Sequence, residues 1–301
     1  MPIQNVTALG FFGLGVMGAP MCANLARKSG LPVYGNDRVA QALDRVTEPA
    51  FHACATPAEV TAHAQVVFLS LPSIKEVEEL CTGPGGLLEN PGRLQAIVDM
   101  STSSVERTRA LAKRMREAGI EYLDAPVARL REAARLGTLS IMVGGSAVNF
   151  ETVKPWLSTM GSDVTLCGDV GAGQVVKVLN NMVVFMNVQA LAEALAIGRH
   201  AGVDGEMLFR VMSMGSSDSF MLRNAGMKNL VPGHFPEQTF PTTYALKDLS
   251  LALELADEHG LAALGPRLTK TVLERSRDSG NALAYYPAML RVIDPDEASG
   301  S

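Results

Sequence analysis

Gly13-Leu14-Gly15-Val16-Met17-Gly18 is the stretch that decides the fold. It follows an apolar run, residues 6–12, that reads as a buried strand, and precedes an amphipathic run, residues 20–28, that reads as a helix. In a Gly-x-Gly-x-x-Gly turn so placed, the first glycine makes the tight turn and the second lets the backbone approach a pyrophosphate. The third allows close packing of helix on strand. The free N–H groups at the helix start then favour phosphate. Asp37 lies nineteen positions past Gly18, at the end of a second strand over residues 33–36, where an acid bonds the adenosine ribose. Arg38 follows it. An Asp repels a 2′-phosphate and an Arg can receive one, so the pair leaves NAD and NADP both open, with NAD preferred.

Working outward, short apolar runs alternate with longer amphipathic ones. Helices are expected at residues 57–64, 74–81 and 105–118, and strands at 66–71, 96–100, 122–125, 138–143 and 164–167. That alternation indicates βαβ units, a Rossmann-type parallel sheet with helices on both faces. After Gly173 the pattern changes. Residues 174–201 contain no Pro and one Gly, with apolar residues recurring every three or four positions, which predicts one long helix. Further helical windows follow at 205–214, 222–230, 243–259, 265–279 and 284–292, with no clear strand between them. The expected α/β architecture is a dinucleotide-binding domain, residues 1–167, followed by an all-α domain for substrate and oligomerisation, residues 168–301, joined by the long helix. The tail, residues 294–301, reads as frayed.

Composition narrows the function classes. The 301 residues carry 26 Lys+Arg against 31 Asp+Glu, a net charge of −5, which speaks against a nucleic-acid binder that must neutralise phosphates. Cys22, Cys54, Cys81 and Cys167 are scattered, and the five histidines share no ligand spacing, so neither a disulfide framework nor a metal site is expected. Residues 8–21 lack the positive charge that opens a signal peptide, and four glycines interrupt them. No uninterrupted apolar run approaches a membrane span of ~18–20 residues. The expected protein is cytoplasmic and soluble.

The glycine turn extended through Ala19-Pro20-Met21-Cys22-Ala23-Asn24-Leu25 resembles that of the β-hydroxyacid dehydrogenases. Leu71-Pro72, Asp99-Met100-Ser101-Thr102, Asp124-Ala125-Pro126-Val127 and Leu136-Gly137-Thr138-Leu139 match as well. So do Gly171-Ala172-Gly173 with Lys177, Asn180 and Asn181, and Lys247-Asp248-Leu249. The resemblance implies a Rossmann domain with a 6-phosphogluconate dehydrogenase-like helical domain, an NAD or NADP cofactor, a small acidic substrate and a homodimer or homotetramer. By the same resemblance Lys177 is the catalytic lysine and Asn181 the substrate-side asparagine. Leu71 and Pro72 lie against the cofactor, Thr102 lines the nicotinamide side, and Lys247 closes over the cofactor. Ser216, Ser217, Asp218, Phe220 and Arg223 fall in a region that walls the family's pocket.

The residues support that chemistry on their own. Lys177 is the only charged side chain between Asp169 and Glu193, and Asn181 shares its helix face one turn on. Hydride transfer to a carbonyl requires a proton for the developing alkoxide, and a desolvated lysine can deliver it. An asparagine amide can donate to the same oxygen. One loop departs from the family: after Asp124-Ala125-Pro126-Val127 the usual Ser-Gly-Gly is Ala128-Arg129-Leu130. The guanidinium of Arg129 suits carboxylate, sulfonate or phosphate, and an Arg here resembles the sulfolactaldehyde reductase branch. Two other functions fit the same architecture. Imine reductases resemble it but carry Asp or Tyr where Lys177 stands, and a non-catalytic dinucleotide sensor has no use for a proton donor.

Overall fold

The computed structural model describes residues 2–237 and 239–295. The chain forms two compact units, one up to Lys177 and one from Val178 onward. The first unit is built on strands β1 (Leu9–Phe12), β2 (Val33–Asn36), β3 (Phe51–Ala53), β4 (Val66–Leu69), β5 (Ala96–Asp99), β6 (Glu121–Asp124), β7 (Val127–Ala128), β8 (Leu139–Gly144) and β9 (Gly161–Gly168). They make one sheet in the order β3-β2-β1-β4-β5-β6-β8-β7, with β9 also on β8. From β3 through β6 the pairing is parallel, Leu9 aligning with Val33 on one side and Val66 on the other. Strand order reverses at β1, so the crevice between β1 and β4 opens at their carboxyl ends, where such sheets bind ligands.

Helices α1 (Gly18–Lys28), α2 (Pro57–His63), α3 (Ile74–Thr82), α4 (Val105–Glu117), α5 (Arg131–Leu136) and α6 (Ala147–Met160) complete this unit. Alternate strand residues face opposite ways. Leu9, Phe11, Phe68 and Val98 pack with Met21 and Leu25 of α1 and with Phe150, Val153 and Leu157 of α6. Phe12, Val67, Leu69 and Ile97 face Val60 of α2, Val77 of α3 and Leu111 and Met115 of α4. Thr56, Ser73, Ser104 and Ser146 cap α2, α3, α4 and α6, each accepting a backbone N–H from the first turn.

The sheet is mixed rather than parallel throughout, because β8 runs antiparallel to β6 and β7. Residues 125–138 between β6 and β8 hold the short strand β7, which pairs antiparallel with β8, and α5. β3, β7 and α6 were not anticipated, nor was a 3-10 helix at Ala40–Arg45. Pro155 inside α6 breaks a helical pattern that Phe150, Val153 and Leu157 otherwise keep. β1 begins at Leu9, shorter than the run from residue 6 suggested.

The long helix α7 (Ala172–His200) has 29 residues and runs from the first unit into the second. By length and composition it is apolar enough to cross a membrane, which the sequence reading did not anticipate. Lys177, Asn180 and Asn181 interrupt it, and Val188, Leu191, Ala192 and Leu195 lie in the second unit's core.

That unit adds α8 (Gly205–Met212), a π-helical segment (Leu222–Leu230), α9 (Thr242–Glu258), α10 (Leu264–Ser276), a 3-10 turn (Tyr286–Met289) and α11 (Leu290–Ile293). Phe185, Phe209, Leu249, Leu273 and Met289 form its core, with Tyr286 edge-on to Phe185 at 5.0 Å. Its described residues contain no strand, only an isolated bridge between Pro241 and Tyr285. Three expected helical windows are found as helix, with a difference in type or extent. Residues 222–230 wind as a π-helix, residues 284–292 divide into a 3-10 turn and α11, and α10 gives way after Ser276 to a kinked turn with Gly280 at φ +89°. Asp294, expected to fray, is buried beside His200 at 3.1 Å, while residues 296–301 lie outside the described residues.

Candidate functional site

The glycine turn leaves the carboxyl end of β1, and its three glycines are required for three different reasons. Gly13 sits at φ +88°, and a Cβ there would meet the Ser70 carbonyl oxygen at 2.3 Å. A Cβ on Gly18 would lie 1.8 Å from the Gly13 carbonyl oxygen, so the start of α1 packs directly on the turn. Gly15 is the opposite case: a Cβ would find nothing within 4 Å. The backbone is therefore exposed to open space beside a helix N-terminus, the surroundings a pyrophosphate needs.

Asp37 locks this turn from the end of β2. Its Oδ2 accepts the Leu14 N–H at 2.6 Å and its Oδ1 accepts the Val39 N–H at 2.8 Å. Arg45 donates to the Leu14 carbonyl at 3.1 Å. Arg38 turns to α3, where its guanidinium pairs with Glu79 at 2.8 Å and both groups are exposed. Val16 is exposed and Met17 half-buried. The turn, the helix start and the Asp37 carboxylate together fit a dinucleotide.

The loops after β4 and β5 converge on the same edge. The Leu71 N–H donates to Ser101 Oγ at 2.9 Å, and Pro72 continues that loop as Thr102 continues the other. The buried Asp99 carboxylate accepts the Ser101 N–H at 3.0 Å and the Tyr122 hydroxyl at 2.8 Å, and burial raises its pKa. At the end of β6, Asp124 accepts the Gly171 N–H at 2.6 Å and the Gln174 N–H at 2.8 Å, fastening the entry to α7. Gly173 admits this close approach, since a Cβ would meet the Met142 carbonyl at 2.3 Å. Gln174 is wholly buried; its Nε2 donates to the Ser101 carbonyl at 2.7 Å and its Oε1 accepts the Ser103 N–H at 3.0 Å.

Burial pushes the Asp124 carboxyl up to about 6 from 3.8, although the two backbone donors pull it down. A raised native pKa means the folded protein keeps a proton that the unfolded chain releases. This group's stabilisation is complete below pH 3.8 and is lost as pH rises to about 6. Asp124→Asn removes the titration. Urea midpoints measured for both proteins should move in the variant's favour across that window and then run level. A constant difference from pH 3.5 to 7 would show an ordinary carboxyl at this position.

Lys177 comes three residues after Gln174 and is 8% exposed. In the second unit, Asn181 is 7% exposed; its Nδ2 donates to Asp248 Oδ2 at 2.7 Å, and its Oδ1 accepts from Asn180 at 3.1 Å. Lys247 approaches Asp248 Oδ1 at 3.3 Å and lies 5.7 Å from the centre of the Tyr244 ring. The family-like lysine and asparagine motifs of this unit are thus joined through one buried carboxylate. In the region expected to wall a pocket, Arg223 pairs with Asp218, and Ser219 donates to Asn187 at 3.0 Å.

Arg129 is held within the first unit. It donates to the Thr138 carbonyl at 2.5 Å and to Ser162 Oγ at 2.9 Å, and pairs with Asp163 at 2.7 Å. Its φ of +84° lies in the region that glycine occupies freely and that costs other residues about 1–2 kcal/mol. The backbone at this point of the departing loop therefore keeps a glycine-type conformation despite the side chain. Ala128 belongs to β7 and Leu130 precedes α5 with its side chain exposed. Among the described residues no cluster of three potential metal ligands occurs.

The reading of the sequence assigned no role to Gln174, Ser101 or Asp124. A polar glutamine in an otherwise apolar helix start, three positions before Lys177, was the available signal for the first of them.

Residues 8–168 match the family described as the NAD binding domain of 6-phosphogluconate dehydrogenase. Residues 171–293 match the one described as the NAD-binding domain of NADP-dependent 3-hydroxyisobutyrate dehydrogenase. The chain is 36% identical over 290 residues to 2-(hydroxymethyl)glutarate dehydrogenase of Eubacterium barkeri, covering 96% of each chain. It is 36% identical over 286 residues to 2-hydroxy-3-oxopropionate reductase of Escherichia coli, covering 95% of this chain and 97% of that one. Among solved structures, 3-hydroxyisobutyrate dehydrogenase of Mycobacterium tuberculosis superposes with a TM-score of 0.85 at 27% identity, covering 96% of this chain and 99% of that one. With both halves matched and relatives of 36% identity covered almost end to end, the chain belongs to the β-hydroxyacid dehydrogenases, oxidoreductases that use a nicotinamide cofactor.

Proposed function

We propose that this protein interconverts a small 3-hydroxy acid and its semialdehyde, with Lys177 moving the proton at the substrate oxygen. The observation that carries this reading is Lys177 itself, a buried ammonium near the start of α7 with no other charged residue between Asp169 and Glu193. The cofactor supplies or takes up the hydride. Lys177 acts as general acid towards the developing alkoxide in reduction and as general base in oxidation. Asn181, held by Asp248, orients the substrate oxygen from the same helix face. Gly13, Leu14, Gly15, Val16, Met17 and Gly18 hold the pyrophosphate, Asp37 and Arg38 meet the adenosine ribose, and Leu71, Pro72, Thr102 and Lys247 line the rest of the cofactor. Asp37 favours NAD, since Arg38 is already engaged by Glu79. Residues 1–167 bind the dinucleotide and residues 168–301 serve substrate and assembly. Exposed Val176, Leu179, Val183 and Ile197 on α7 offer an apolar stripe for a homodimer or homotetramer. The proposed location is the cytoplasm.

The test is absorbance at 340 nm with a panel of carboxylate, sulfonate and phosphate aldehydes and the matching hydroxy acids, each with both cofactors. Turnover of a 3-hydroxy acid pair is expected, faster with NAD. No change with any acid would overturn the reading. The relatives give no support to imine reduction or to non-catalytic dinucleotide sensing.

Arg129 and Ala128 belong to this proposal as the loop that meets the substrate's acid group. Arg129→Ala should raise KM for the acid by roughly 10- to 150-fold, the loss of a charge-assisted hydrogen bond of about 1.5–3 kcal/mol. An unchanged KM with a lower Tm would assign Arg129 instead to holding β9 through Ser162 and Asp163.

A further inference from the structure

Two segments that the proposed function brings to the cofactor and substrate, the turn of residues 101–103 and the start of α7, are joined by a single side chain. Gln174 reaches from the first turn of α7 to the carbonyl of Ser101 and the N–H of Ser103, spanning Thr102 on both sides. Its own backbone N–H is fixed by Asp124, which also takes the Gly171 N–H. The buried amide matches each partner by type: the NH2 meets a carbonyl and the oxygen meets an N–H. Reversing the amide would set two donors and two acceptors against each other, so only one orientation satisfies the site. Lys177 stands three residues on, nearly one helical turn from this clamp.

We infer that Gln174 is a positioning residue, which sets the Lys177 end of α7 against the Ser101–Ser103 turn and so fixes the proton donor relative to the Thr102 face. This inference rests on the assignment of Lys177 as proton donor, although the clamp itself is a matter of hydrogen bonding alone. Proton and hydride transfer depend steeply on geometry, and misplacement of about 1 Å can cost about a hundredfold in rate. A clamp at the root of the helix is therefore felt in kcat more than in substrate affinity.

The experiment has two arms. In the first, hydrogen exchange of the unaltered protein without cofactor is followed at the amides of Ser103, Gly171 and Gln174. Exchange as one slow group is expected; a Ser103 amide exchanging at loop rates while Gln174 stays protected would overturn the clamp. In the second, Gln174→Met, similar in size but without hydrogen-bonding groups, is assayed at a temperature where circular dichroism shows it folded. A fall in kcat of tenfold or more is expected, with KM for the hydroxy acid within threefold and Ser103 exchange accelerated. A lower Tm with kcat unchanged would reduce Gln174 to a packing role. If Ser103 exchange accelerates and kcat falls in Gln174→Met but Lys177→Ala keeps full turnover, the clamp stands and the lysine assignment fails. Should Gln174→Met not fold, the exchange arm decides by itself.

Discussion

Lys177→Ala should lose turnover by about 10²–10⁴-fold, the usual contribution of a positioned proton-transfer group, while binding of the nicotinamide cofactor persists. The residues expected to hold the cofactor lie elsewhere in the chain, so a fluorescence titration with the reduced cofactor should give nearly the wild-type Kd. Alanine alone does not separate a proton donor from a fixed positive charge. Lys177→Arg does, because a guanidinium stays protonated in proteins and cannot exchange its proton on demand. If the lysine moves a proton, the arginine variant is nearly as slow as the alanine variant. If it contributes only charge, the arginine variant recovers much of the rate. Full turnover in Lys177→Ala would leave a dinucleotide-binding scaffold whose proton comes from another group.

The sequence revealed the framework wherever local pattern carried the information. Strand β2 is found at the anticipated residues, Val33–Asn36, and α7 within two residues of its expected start, because buried runs and long helical periodicity are local signals. Local pattern misled where one residue interrupted it. Pro155 concealed α6, and the direction of β8 lies in its pairing with β6 and β7, which strand composition does not report.

The site divides along the same line. The glycine turn could be recognised from spacing alone, and the distinct reasons for Gly13, Gly15 and Gly18 emerged once neighbours were known. Asp124 and Gln174 work across a separation of fifty residues, and Gln174 and Ser101 across seventy-three, distances over which no sequence periodicity reports contact. Arg129 shows a third kind of concealment: its φ of +84° is a glycine's conformation carried by an arginine, and residue type alone argued against it.

Opposite outcomes are expected from substituting two glycines that lie two residues apart. Gly15 faces open space and has no positive φ, and a Cβ there meets nothing within 4 Å. Gly15→Val should fold with a stability within about 1 kcal/mol of wild type, since the loss of glycine's freedom in the unfolded chain works in its favour. Its dinucleotide affinity should drop about a hundredfold or more, because the branched side chain occupies the ground proposed for the pyrophosphate. Losing one or two charge-assisted hydrogen bonds, at about 1.5–3 kcal/mol each, is enough for that. Gly13→Ala should do the reverse first. Its Cβ would sit 2.3 Å from the Ser70 carbonyl, at a φ of +88° that alanine tolerates poorly, and the turn must move. Strain of about 1–3 kcal/mol from the dihedral alone, with the clash added, should appear as a clear loss of Tm before any ligand is present. Thermal melts without cofactor, paired with fluorescence titrations, separate the two cases. If Gly15→Val bound the dinucleotide as tightly as wild type, the phosphates would not rest on this turn, and the cofactor assignments drawn from Asp37 to Thr102 would have to be redrawn around another edge of the sheet.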